Sequence, residues 1–358
     1  MENNEKTEEV SRENAILIWQ SSRLSISMKC EKAPEILKAN GTVIGTFGNF
    51  SASIGKAKSK KTFNVSAIVA AALKGGTILL YSAELPENKR KILYVDTEQS
   101  PYHCLKVMER ILHMAELPTD RDNENLEFLA LRKYTPKERI AAVEQAIYNT
   151  PDLGFVVIDG IRDMVYDINS PGESTRIISK LMQWTDDRQI HIHTILHQNK
   201  GDENARGHIG TELNNKAETV LLVEKDSGNS DISSVSAIHI RAMDFEKFAF
   251  RINEQALPEL VEGYKPQEKR VGRPQQEEFD AYKQITEQQH RIALEATFGL
   301  KAEYGYEELK ETLIKTYASV GVKLNHKKAV SLIITLRSKR MIVQEKGKKY
   351  TYMPDFYY

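Results

Sequence analysis

Gly55-Lys-Ala-Lys-Ser-Lys-Lys61-Thr62 carries the densest chemistry in the chain. Its spacing is that of a phosphate-binding loop, G-x-x-x-x-G-K-[ST]. In such a loop backbone N–H groups wrap phosphate oxygens, the lysine neutralises them and the hydroxyl meets Mg²⁺. Gly55, Lys61 and Thr62 hold three of the four fixed positions, and Lys60 stands where the second glycine belongs. Glycine there relieves strain and admits a close ligand. The segment therefore reads either as a nucleotide loop with added positive charge or as a basic turn at a helix start. As a nucleotide loop its binding residues are Gly55, Lys58, Ser59, Lys60, Lys61, Thr62 and Phe63.

Two more segments put acids where apolar strands end. Ile92-Leu-Tyr-Val-Asp96-Thr-Glu98 offers two carboxylates and Phe155-Val-Val-Ile-Asp159 a third. A strand-terminal Asp alone is also an ordinary turn-former. Together with the loop, the three segments hold the parts of nucleotide hydrolysis: an acid for Mg²⁺, an acid to orient water and a cradle for phosphate. Ligands of open α/β sheets collect at the carboxyl ends of the strands, where all three would meet.

The surrounding pattern supplies that sheet. Apolar runs at 43–47, 78–81, 92–95, 126–129, 155–158, 191–196 and 220–223 have strand length and composition. Helical patterns fill 61–73, 101–115, 136–148 and 174–185. Such alternation predicts an α/β fold, a mostly parallel sheet with helices on both faces. The run at 43–47 is the strand expected to feed the loop. The runs at 236–241 and 248–252, with no helix between them, predict an antiparallel extension at one edge. Four regions result: a polar appendage over 1–40 with a short helix at 15–20, a core domain over 41–258, a Gly- and Pro-punctuated linker over 259–279, and a small domain over 280–358.

In the loop at 55–62, Val95-Asp-Thr-Glu98, Ile158-Asp159, Leu196-His-Gln-Asn-Lys200 and Ala205-Arg-Gly-His208, the core stretch resembles the RecA-like hexameric ATPases, closest to the plasmid RepA and DnaB-type replicative helicase branch. That resemblance implies a RecA-like P-loop NTPase core, ATP and Mg²⁺ as cofactors, and hydrolysis that drives motion on DNA in plasmid or mobile-element replication. It implies that Lys61 grips phosphate, Thr62 and Asp159 hold the metal, Glu98 activates water, and His197 with Gln198 senses the γ-phosphate. The family completes its site across a subunit boundary with a K-x-R pair, which His239-Ile-Arg241 matches with His in place of Lys. Arg241 would then stabilise the transferring phosphate; otherwise it is a strand residue pairing with Asp244 or Glu246. A homo-oligomer, in the form of a hexameric ring, also follows from the resemblance, with a primase or initiator as a further partner. Lys200 and Arg206 become contacts to single-stranded DNA, against the plainer reading of 200–210 as a solvated connector. Two other functions share these motifs: a filament-forming strand-exchange or repair ATPase, and a nucleotide-switched DNA-binding initiator.

His191, His193 and His197 share one strand face, which invites a metal. No carboxylate or Cys lies at zinc-site spacing, so packing on the strand face is the better reading. Cys104 reads as a small buried hydrophobe.

The C-terminal region carries a charge asymmetry. Nine basic residues and one acid lie between Lys323 and Lys349, a net +8. Helical patterns near 280–297, 305–317 and 326–338 precede two alternating strands punctuated by Gly347, the order of a winged helix. This resembles the helix-turn-helix class, whose third helix enters the major groove. Ala329, Leu332, Ile333 and Leu336 would face inward. Lys327, Lys328, Ser331, Arg337, Lys339 and, on the hairpin, Lys348 would meet DNA. A solvated charged surface or a protein-docking module would look the same.

Composition excludes other classes. With 41% hydrophobic residues the chain is not disordered, and 50 basic against 50 acidic residues argue against a wholly basic nucleic-acid coat. No run approaches the ~18 apolar residues of a membrane span. Two cysteines cannot build a disulfide framework, and the polar, acidic start is unlike a signal peptide. A cytoplasmic protein is expected.

Overall fold

The computed structural model describes residues 11–29, 31–198, 207–265, 279–344 and 349–356. The chain divides into two compact units, Met1–Gln267 and Glu268–Tyr358.

The first unit is built on a nine-stranded sheet. Its strands in chain order are β1 (Phe50–Gly55), β2 (Lys91–Asp96), β3 (Leu126–Ala130), β4 (Leu153–Asp159), β5 (His191–His197), β6 (Thr219–Lys225), β7 (Ile232–Ile240), β8 (Phe248–Ile252) and β9 (Pro258–Leu260). Across the sheet the order is β9-β8-β7-β6-β1-β5-β4-β2-β3. From β6 to β3 every pairing is parallel, and β7, β8 and β9 add antiparallel at the other edge. The architecture is α/β, a mostly parallel sheet with an antiparallel edge.

Helices cover both faces, which is why the central strands read as unbroken apolar runs. Ile92, Tyr94, Phe155 and Val157 pack into one cluster with the helices Lys61–Lys74 and Pro101–Met114. Their neighbours Leu93, Val95, Val156 and Ile158 pack into another, with Pro136–Asn149, Pro171–Arg188 and Gly207–Lys216. Thr135 and Ser170 cap two of these helices, Thr135 in a reciprocal box with Glu138.

The strand that feeds the phosphate loop is β1, not the 43–47 run. The latter becomes Thr42–Thr46 in a separate four-stranded antiparallel sheet with Glu35–Ala39, Tyr81–Ala83 and Thr77–Ile78. β1 is Phe-Ser-Ala-Ser-Ile-Gly, a composition with little β-propensity, and tertiary contacts make it a strand. Ser51 Oγ meets His191 Nε2 and His193 Nδ1, both at 2.7 Å, and Ser53 Oγ meets His193 Nε2 at 2.9 Å. His191 Nδ1 lies 2.9 Å from the Thr46 carbonyl, which can only accept. His191 therefore donates from Nδ1, Ser51 donates to His191, His193 donates to Ser51, and Ser53 donates to His193. Both rings are thereby satisfied as neutral groups, and burial pushes His193 down to about 3. These histidines pack on the strand face; among the described residues no cluster of three or more His, Cys, Asp or Glu could hold a metal.

The second unit has the helices Ala281–Gln284, Glu287–Leu300, Tyr306–Ser319 and His326–Ser338, then an antiparallel pair, Ile342–Gln344 and Tyr350–Tyr352. Its own core includes Leu294, Leu309, Leu313, Tyr317, Leu332, Ile333 and Leu336. Ala329, Leu332, Ile333 and Leu336 face inward as their spacing requires. Among the described residues no helix is long and apolar enough to cross a membrane.

Candidate functional site

Gly55 is the last residue of β1, and Lys61 opens the helix that follows. A Cβ on Gly55 would lie 2.2 Å from the Val223 carbonyl oxygen, so the start of the loop admits only glycine. Lys58 and Lys60 both take left-handed backbone angles, φ 64° and 67°. Lys60 thus adopts the conformation a glycine would take there. Its Nζ donates to the Asp231 carbonyl at 2.5 Å, in the turn between β6 and β7, and not into the loop. No side chain caps the Lys61–Lys74 helix, so its first amides remain for an anion. The buried Ser59 hydroxyl also has no hydrogen-bond partner among the described residues.

Lys61 Nζ lies in the mouth of the loop, donating to the carbonyls of Gly55 and Lys56 at 2.9 Å each. Burial lowers its pKa to about 8, against the pull of Asp159 and Glu98. Thr62 Oγ1 donates to Asp159 Oδ2 at 3.0 Å, and Tyr94 Oη to the same oxygen at 3.1 Å. Burial and the nearby Asp96 and Glu98 push Asp159 up to about 7. An under-compensated buried carboxylate beside a hydroxyl is a hard-oxygen donor set, which fits Mg²⁺.

Glu98 stands at the rim. His197 Nε2 is 3.6 Å from Glu98 Oε1, and this contact, more than Lys61, holds the Glu98 carboxyl below its ordinary range. His197 Nδ1 is 3.1 Å from Lys61 Nζ, so one imidazole touches both groups. Gln198 is buried, and its backbone N–H donates to the Gly55 carbonyl at 3.0 Å. Four strand ends, β1, β2, β4 and β5, thus meet as the three motifs require.

A cleft of about 270 Å³ is lined by Lys58 through Phe63, Glu98, Asp159 and His197. Gln99, His103, Lys106 and Arg110 line it too. His103, Lys106 and Arg110, at steps of three and four along the Pro101–Met114 helix, mark one helical face, a signal present in the sequence. Arg110 lies over the Phe63 ring at 3.8 Å and donates to the Ala256 carbonyl. A larger groove of about 1310 Å³ shares Lys60 with this cleft but none of Lys61, Thr62, Glu98 or Asp159. The smaller cleft is the chemical one. Cys104 is buried, and burial with Asp96 close by pushes its thiol up to about 12, so it is no nucleophile.

Other expected residues lie elsewhere. Arg241 follows β7 at the amino end of β6, where its N–H meets the Glu218 carbonyl and its guanidinium Asn49 Oδ1 at 3.3 Å. That is the opposite end of the sheet from Lys61. Neither Asp244 nor Glu246 is its hydrogen-bond partner among the described residues. Lys200, Arg206 and Lys348 lie outside the described residues, and the segment expected to be a loop as far as Gly210 is already helical from Gly207. In the second unit Lys327 and Arg337 are exposed, and Ser331 is half-buried. Lys328 lies over Phe279 and Lys339 over Tyr282, at 5.3 and 3.9 Å from the ring centres, so two of the expected DNA contacts are engaged in packing.

Residues 39–203 match the family model described as AAA domain. The matched segment is just under half of the chain; it spans the loop, both carboxylate motifs and His197, and stops before Arg241 and the second unit. Among solved structures the chain is similar to one titled "Crystal structure of the RadB recombinase", at 16% identity and a TM-score of 0.42, over 59% of this chain and 90% of that one. No curated protein matches the sequence.

Proposed function

We propose that the chain is an ATP-dependent motor on DNA, of the replicative-helicase kind, acting in plasmid or mobile-element replication. The observation that carries this is the meeting of Lys61, Thr62, Asp159, Glu98 and His197 at four adjacent strand ends behind an uncapped helix start. Lys61 and the first helix amides hold the polyphosphate. Thr62 and Asp159 hold Mg²⁺, which when bound screens phosphate charge. Glu98 takes up the hydrogen bond of the attacking water, and His197, touching Lys61 and Glu98 at once, reports whether the terminal phosphate is present. Arg241, away from its own subunit's loop, serves the neighbouring subunit's nucleotide in a homo-oligomeric ring.

The second unit is a winged-helix module that meets duplex DNA through Lys327 and Arg337. Lys323 and Arg340 are exposed beside them without an ion-pair partner among the described residues. The test is ATP turnover with and without single-stranded DNA, together with the mass and electron-microscopic shape of the assembly. Stimulated turnover by closed rings supports the reading. Open helices would replace it with a recombination-type ATPase, and nucleotide binding without turnover would replace it with a switch.

A further inference from the structure

Asp96 ends β2 two residues before Glu98 and is completely buried. Among the described residues it has no ion-pair partner. Its Oδ1 accepts the backbone N–H of Glu98 at 2.9 Å and that of Gln99 at 2.7 Å, and its Oδ2 accepts Gln99 Nε2 at 2.7 Å. A buried carboxylate with no cation and a like charge two residues away is an unfavourable way to end a strand. Its compensation is two main-chain N–H groups converging on one oxygen, which fixes the peptide planes on both sides of Glu98.

The same turn is secured from its other side. Thr97 Oγ1 accepts the Gly160 N–H at 2.9 Å and lies 3.1 Å from Asp163 Oδ2. Arg139, from the opposite face of the sheet, donates to the carbonyls of Asp163 at 2.7 Å, Arg132 at 2.8 Å and Leu131 at 3.1 Å. Thr97 thus ties the turn to the end of β4, while Asp96 ties it to its own strand. The Glu98 side chain stands at the rim, 42% exposed against His197.

We propose that Asp96 is a positioning residue, clamping the main chain of Glu98 so that its carboxylate stands at the phosphate loop. This rests on the role given to Glu98 above. Asp96 acts through the acceptor geometry of its oxygen and has no contact with nucleotide.

Asparagine separates geometry from charge. In Asp96→Asn the amide oxygen can take both main-chain N–H groups, and Gln99 satisfies the new amide by turning its own. Asp96→Ala removes the acceptor. The expected result is a fall in kcat of about a hundredfold in Asp96→Ala and of less than about fivefold in Asp96→Asn. The Kd of a fluorescent ATP analogue should stay within about threefold in both. In a Glu98→Ala background Asp96→Ala should lower kcat no further, because one residue acts through the other.

Hydrogen exchange supplies a readout independent of turnover. The amides of Glu98 and Gln99 should be protected in the wild type and in Asp96→Asn, and exchange faster in Asp96→Ala. Should Asp96→Ala not fold, Asp96→Ser, with a shorter acceptor, takes its place and should fall between the other two. Equal losses in the Asn and Ala variants, additivity with Glu98→Ala, or unchanged exchange at 98 and 99 would overturn the proposal. A wild type without turnover removes the role of Glu98 instead, and the exchange experiment still decides whether Asp96 clamps the turn.

Discussion

Thr62 Oγ1 donates to Asp159 Oδ2 at 3.0 Å, which closes the gap between the end of β4 and the first turn of the loop helix. The bond puts a neutral hydroxyl where the proposal places Mg²⁺, and burial with Asp96 and Glu98 nearby, against the pull of this bond, makes Asp159 hard to ionise.

Asp159, pushed up to about 7, is largely protonated at pH 6 and largely ionised at pH 8. Raised above the ordinary 3.8, it lowers the stability of the empty fold as pH rises from about 4 to 7. Mg²⁺ needs the ionised form. The stabilisation by Mg²⁺ with nucleotide, measured as a shift in Tm, should therefore be larger at pH 8 than at pH 6. Asp159→Asn should abolish that difference while leaving the metal-free Tm at pH 8 equal or higher.

Lys61, lowered to about 8, gives the opposite limb. Because its folded value lies below the ordinary 10.5, the empty fold gains stability as pH climbs from about 8 towards 10. A triphosphate binds the charged amine and raises its pKa. Above pH 8 the affinity without metal should fall by up to about tenfold per pH unit, with proton uptake detectable by calorimetry in buffers of different ionisation enthalpy. Lys61→Met should remove the upper limb together with most of the affinity.

Lys60 takes its left-handed conformation at a penalty of roughly 1 kcal/mol relative to glycine. Its side chain donates to the exposed Asp231 carbonyl. Lys60→Gly should leave stability equal or up to about 1 kcal/mol higher in urea unfolding, with nucleotide affinity within about threefold. A tenfold loss of affinity would mean that Lys60 reaches phosphate after all.

Much of the core was legible before the structure. The parallel strands carry apolar residues on both faces, so β2, β4, β5 and β6 are visible as runs, and the acids that end β2 and β4 announce the site. β1 was not legible, because its Ser-Ala-Ser pattern owes its place in the sheet to His191 and His193, more than a hundred residues later. Lys60 departs from the glycine of the loop pattern, and neither its left-handed backbone nor the direction of its side chain is encoded in residue type. Arg110 and His103 lie on a helix that begins after the motif of Asp96 and Glu98, so only their helical spacing marks them in the sequence. Lys328 and Lys339 were indistinguishable from Lys327 and Arg337 by charge, and only Phe279 and Tyr282 separate them.

That separation makes a prediction for the second unit. Lys327→Ala and Arg337→Ala should each weaken duplex binding in the full chain and reduce the slope of log K against log salt by about one. Lys328→Ala and Lys339→Ala should affect binding less and lower the unit's stability by about 0.5–1 kcal/mol, the worth of an exposed cation–π contact.

The most direct test of the central claim is steady-state ATP hydrolysis by the wild type and by Glu98→Gln, with and without single-stranded DNA, beside nucleotide binding by both. The account predicts DNA-stimulated turnover by the wild type, lowered at least about a hundredfold in Glu98→Gln, with nucleotide still bound. Equal turnover in the two proteins, or a wild type that binds no nucleotide, would contradict it.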